Sequence, residues 1–227
     1  MTAMRDDLEP LPRFMRGLPV DNRGYPVPWF VPLLNGQPEF RGMDYEKFTR
    51  AVREHRCWVC GLPRGVYCTF TVGPMCGVNR ISSEPPSHLA CARWSARNCP
   101  FLSNPRMVRR EDEVSNNLRL AEDSAGVAIA RNPGVVLLWI NREFEIIPDA
   151  VKKGRFLFIM GKPEALEFWK ERRSATPAEI EASIASGLPS LEALASTEPG
   201  GLKALADQVA GFRQLVHSLY QVASASA

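Results

Sequence analysis

The apolar pattern changes character along this chain, and each change predicts a boundary. Residues 1–28 carry no regular apolar spacing, and Pro10, Pro12, Pro19, Pro26 and Pro28 each forbid a helix interior nearby, which predicts an extended, proline-rich arm. The apolar run Trp29 to Leu34 meets Asn35-Gly36 and returns as Gln37 to Arg41, which predicts a two-residue hairpin turn; the prolines mark both arms as edge strands. Asp44 then reads as the N-cap of a helix through Arg56 with Phe48 and Val52 on one face. Val66 to Val72 is β-branched and aromatic and predicts a strand, which Gly73-Pro74 should break. After Pro85-Pro86, Ser87 is placed to cap a helix over residues 88–98.

Residues 103–133 are polar and weakly periodic and read as loop with one short helix at most. Val135 to Ile140 is a continuous apolar run of strand length, Arg155 to Met160 is apolar after its first residue, and Phe144 to Ile147 is a shorter candidate strand, predicting a small, largely antiparallel sheet over residues 103–162. From residue 163 to 227 the chain reads as helical. Thr176-Pro177-Ala178-Glu179 is a capping box with proline at the first helical position, and Gly200-Gly201 precedes a final helix. There Leu202, Leu205, Val209, Phe212, Val216 and Leu219 recur at heptad spacing, a seam that can pack on the protein's own core or on a second copy.

The whole is an α+β protein: an arm (1–28), a hairpin, helix and zinc-binding module (29–102), a small sheet, and C-terminal helices. Its 227 residues, 45% apolar and 23% charged, suffice for a real core. No membrane span is expected, since the longest apolar run is far below the roughly 20 residues that cross a bilayer. Nor does the acidic start, Asp6-Asp7, read as a signal peptide, so a cytoplasmic location is expected. Charge is uneven. Residues 41–110 hold twelve Lys/Arg against four Asp/Glu, a net +8 dominated by arginine, whose planar fork suits phosphate and carboxylate.

Six cysteines in a chain of this size point to reduced thiols and metal before disulfides. Cys57-x-x-Cys60-Gly61 offers two thiols on a turn, and His88-x-x-Cys91 offers a second close pair. Two such pairs satisfy the tetrahedral demand of Zn2+ with four protein ligands, which closes the shell and argues for a structural ion. Cys76 and Cys99 are alternative ligands. A four-thiolate iron–sulfur site lacks its usual close-spaced run, Cys68 in a strand reads as core, and neither His55 nor His217 can be placed beside Cys76 as a base.

The paired cysteines, the intervening strand region and the following helix resemble the treble-clef zinc fold over residues 55–100. That fold also houses HNH endonucleases, but residues 66–81 contain no histidine and only Asn79 echoes the nuclease pattern. Over a longer span, residues 23–31, Gly73-Pro74-Met75-Cys76, Glu84-Pro85-Pro86-Ser87-His88 and Cys99-Pro100-Phe101-Leu102 resemble a family of uncharacterised bacterial and phage-borne proteins, a likeness that implies one integral unit and no particular activity.

Two functions are compatible with these features. The first is a zinc-stabilised intracellular binding protein whose Arg50, Arg53, Arg56, Arg64, Arg80, Arg93 and Arg97 contact nucleic acid or an acidic protein, with aromatic residues nearby for stacking. The second is an enzyme or small-ligand protein built around Cys76 to Arg80, where Arg80 would hold an anion and Cys76 would act chemically; a plain structural turn accounts for the same residues.

Overall fold

The computed structural model describes residues 3–40, 42–104, 133–150, 152 and 155–225, the last of these (219–225) by backbone alone. The described residues form an α+β protein of antiparallel sheets and six α-helices. Local signals hold where the chemistry is local. Asn35 and Gly36 both take positive φ, as a tight hairpin turn demands, and join β1 (Leu33–Leu34) to β2 (Gln37–Pro38). The strands are shorter than predicted, and Trp29 and Phe30 turn instead into the core. The Asp44 side chain accepts from the Lys47 N–H at 3.1 Å and starts α1 (Tyr45–Arg53). This helix ends three residues before the expected Arg56, because His55 adopts a left-handed conformation that turns the chain toward Cys57.

No hairpin forms between the ligand pairs. β3 (Cys68–Val72) leads into α2 (Pro74–Asn79) and then β4 (Ile81–Ser82), and the two strands join different sheets. Gly73 and Pro74, read as breakers, occupy the N-cap and first helical positions of α2, where proline has no N–H to lose. α3 (Leu89–Asn98) and α4 (Pro100–Ser103) follow. The loop expected over 103–133 lies almost wholly outside the described residues.

β5 (Val136–Asn141) is buried at every position, as its unbroken apolar run requires. It pairs with β3 on one side and with β8 (Ala165–Lys170) on the other, and β9 (Arg173–Ser174) completes a four-stranded sheet. One face of β5 meets α3, where Val136 and Leu138 pack on Ala92 and Ala96. The other presents Leu137 and Trp139 to the main core, shared with α2, α5 (Pro177–Ala195) and α6 (Gly201–Ala225). A Cβ on Gly77 would stand 2.6 Å from the Phe212 ring and 2.7 Å from Leu137, so the absent side chain is what lets α2 and α6 meet over the sheet.

β6 (Phe144–Pro148) and β7 (Phe156–Met160) form a second, three-stranded sheet with β4, so the expected single sheet is two. Between them lies an aromatic cluster in which Phe158 sits 5.8 Å from Phe48, 6.1 Å from Phe70 and 5.6 Å from Phe144, distances at which ring edges and faces attract. Residues 163–174, expected to be helical, instead supply β8 and β9: Leu166 and Phe168 pair with Trp139 and Leu137 and complete the free edge of β5. The capping box at Thr176 is present in both directions. Leu205, Val209 and Phe212 of the heptad seam are buried in the protein's own core and Val216 packs against it, whereas Leu202 is exposed and the Leu219 side chain lies outside the described residues, so the middle of that face is covered. No helix among the described residues is long and apolar enough to cross a membrane.

Candidate metal centre

The chain turns sharply at the first ligand pair. The Cys57 N–H donates to the Leu62 carbonyl and the Gly61 N–H to the Cys57 carbonyl, both at 2.8 Å, closing a knuckle. Gly61 is required there twice over: its φ is +73°, and a Cβ would stand 2.5 Å from the Trp29 ring. The knuckle also sits at a seam between two apolar clusters. Trp58 points into the main core, stacked at 4.8 Å on Phe30, while Cys57, Val59 and Cys60 face a second cluster with Met15, Cys91 and Trp94.

The second pair is brought over the knuckle by the segment before α3. Thr69 and Ser87 exchange backbone hydrogen bonds at 3.1 and 2.8 Å, and the Trp58 N–H donates to the Pro86 carbonyl at 3.3 Å. Ser87 is therefore not the cap of α3. His88 holds the N-cap position, with extended backbone and no capping side chain, and Cys91 lies in the first turn. The imidazole is thus free to face the sulfurs.

The ligand atoms of Cys57, Cys60, His88 and Cys91 all lie within 4.8 Å of one another. His88 Nδ1 is 3.4 Å from Cys60 Sγ and 3.8 Å from Cys91 Sγ. A tetrahedral zinc with Zn–S near 2.3 Å and Zn–N near 2.0 Å separates sulfur and nitrogen ligands by about 3.5 Å. Across the ring, His88 Nε2 is 3.0 Å from the Pro63 carbonyl, which can only accept. That contact puts the proton on Nε2 and directs the Nδ1 lone pair at the sulfurs, the outer-shell arrangement usual for a metal-binding imidazole. Cys57 and Cys91 are fully buried, and Phe14 stacks on the His88 ring at 4.3 Å, 8° from parallel.

The electrostatics suit a cation. Burial opposes ionisation of Cys57, but hydrogen bonding with Cys60, Cys91 and His88 outweighs it and holds that thiol far below the ordinary range. Hydrogen bonding with Cys57 and Cys60 pushes Cys91 far above it. Burial disfavours a charged His88, yet contact with the same two sulfurs prevails and lifts its pKa to about 10. Negative charge thus falls on Cys57, and a divalent ion would replace the protons held by Cys91 and His88. The four residues could hold a metal ion.

Cys76 and Cys99, the alternative ligands, stand apart from this group. Cys76 lies in α2 and Cys99 at the junction of α3 and α4, and burial raises both thiols. Cys68 is buried in β3, as its strand position implied, with the Arg64 guanidinium on its sulfur. Arg80 donates from Nε and Nη2 to the Met160 carbonyl at 3.0 and 2.8 Å, which makes the Cys76–Arg80 segment a joint between the two sheets.

Each of the seven arginines proposed for an anionic partner has a partner within the protein, Arg64 and Arg80 as just described. Arg50, Arg53 and Arg56 converge on Glu54. Arg93 grips Glu167 in β8, and Arg97 grips Glu9 in the arm at 2.8 Å while its guanidinium lies 5.0 Å over Trp169. Glu54 within the positive segment answers three of its arginines, and acids far away in sequence answer Arg93 and Arg97. Bonding to Arg56 foremost, then Arg50 and Arg53, lowers the Glu54 carboxyl from 4.5 to about 2. A depressed carboxylate contributes stability that is present above its ordinary pKa and lost as pH falls through the folded value, so the window here runs from about 4.5 down to about 2. An NMR titration should find the Glu54 midpoint near its lower end, and Arg56→Ala should move it up.

Sequence reasoning missed the arm's part in this centre. Leu8, Leu11, Phe14, Met15 and Leu18 all pack on the ligand cluster, and their three-residue spacings were the available signal. Comparison with known proteins is silent. No family model, curated protein or solved structure matches this chain.

Proposed function

We propose that the protein is a zinc-stabilised binding protein in which Cys57, Cys60, His88 and Cys91 hold one structural Zn2+. The observation that carries the reading is the convergence of three sulfurs and one correctly presented imidazole nitrogen within 4.8 Å, at a spacing that suits a tetrahedral ion. Four protein ligands leave no position for a reacting water, which favours a structural role over catalysis. The likeness of the cysteine block to bacterial and phage-borne proteins belongs to the same proposal.

An acidic protein or a nucleic acid remains the partner class that the positive segment suggests, although the ion pairs just described weaken that part. Metal analysis of gently purified protein is expected to give one zinc per chain, and cobalt substitution to give the absorption of a tetrahedral thiolate site. Protein that folds without metal would overturn the reading. Separately, salt-dependent retention on nucleic acid at low ionic strength would support the anionic partner, and its absence would remove nucleic acid.

A further inference from the structure

The arm is fastened to the helix that carries Cys91, and by contacts unusually dense for a segment without regular structure. Glu9 is held at three points: its N–H donates to Asn98 Oδ1 at 2.9 Å, its carbonyl accepts from Trp94 Nε1 at 3.0 Å, and its carboxylate accepts from Arg97 Nε at 2.9 Å. Arg172 Nη2 adds a bond to the Asp7 carbonyl at 2.6 Å and one to Asn98 Oδ1 at 3.0 Å. From that anchor the chain crosses the ligand cluster. Met15 is buried among Cys57, Cys60 and Cys91, and Phe14 covers the face of His88, with the Arg13 guanidinium 4.5 Å above the Phe14 ring.

His88 is the most accessible of the four ligands, since the three cysteines are buried and it is not. It is the natural point at which a competing ligand or a proton would enter. Phe14 lies on that ring. We propose that residues 8–18 form a strap across the metal centre that sets how fast the ion leaves, and that the ion in turn holds the strap down. This rests on the zinc reading above. Coupling of this kind is reciprocal: whatever the strap adds to metal binding, the metal adds to closure of the strap.

The strap therefore gives the site a control that its ligands do not. A partner that peels the arm from α3 would release the metal, and loss of the metal would expose the apolar side of the arm.

The test uses the full-length protein loaded with zinc and an excess of a chromogenic chelator that reports zinc release. Phe14→Ala removes the cover from His88, and Glu9→Ala loosens the anchor without touching the cluster. Each is expected to bind one zinc per chain and to release it about fivefold faster, the effect of losing one stacking or charge-assisted contact. Trypsin should cut after Arg13 or Arg16 slowly in the loaded wild type and faster in both variants and after chelation. Should Phe14→Ala fail to fold, Glu9→Ala decides the matter alone. Unchanged release rates at full zinc content would overturn the strap and leave the zinc reading intact, whereas a wild type that binds no zinc would end both.

Discussion

Cys91→Ser is expected to abolish zinc binding and to unfold residues 55–100 together with the arm above them. Structural zinc contributes on the order of 10–16 kcal/mol in finger peptides, against a margin of about 5–15 kcal/mol for a whole domain. Losing one thiolate from a closed shell therefore removes as much stability as the protein has to lose. Equilibrium urea unfolding with metal content measured in parallel checks this. Cys76→Ser and Cys99→Ser make the comparison decisive, because both lie outside the ligand group and should keep the ion. A Cys91→Ser protein as stable as the wild type would show that the four side chains meet for some reason other than metal.

Trp139→Ala is the second large effect, and its origin is packing. Trp139 is 1% exposed in the central strand, paired with Phe70 on one side and Leu166 on the other, and its Nε1 donates to the Gly161 carbonyl at 2.9 Å. Truncation would open a cavity between the sheet and the helices of the main core and would delete that bond. Large-to-small changes of this kind cost about 3–5 kcal/mol. The urea midpoint should fall accordingly. A loss below roughly 1 kcal/mol would mean that the core collapses into the space, contrary to the dense interior expected around so many rings.

How far the sequence foretold this molecule depends on how far apart the interacting residues lie. The turn at Asn35-Gly36, the cap at Asp44 and the box from Thr176 to Glu179 each involve residues within three or four positions, and each is present. The four candidate ligands were legible for a related reason: each pair is short-range, and only one convergence had to be assumed. What failed was long-range. β8 reads as weakly patterned because Glu167 and Lys170 interrupt it, and only the free edge of β5 makes it a strand. Arg97 looked available until Glu9, eighty-eight positions earlier, closed on it. Gly73-Pro74 was a true signal with two meanings, a turn or a helix start, and the packing of Gly77 beneath Phe212 accompanies the second.

The two sheets are stitched by the chain itself. β3 runs into β4, β5 into β6 and β7 into β8, so each of these successive pairs of strands divides between the sheets. Neither sheet can then assemble as a private unit, because completing one threads the chain through the other. Cutting at Asn141 or Gly161 would strand unpaired edges on both fragments, and such halves should recombine only as a pair. Folding of this region must wait on pairings between distant parts of the polypeptide, which places it among the slower steps by which the molecule forms.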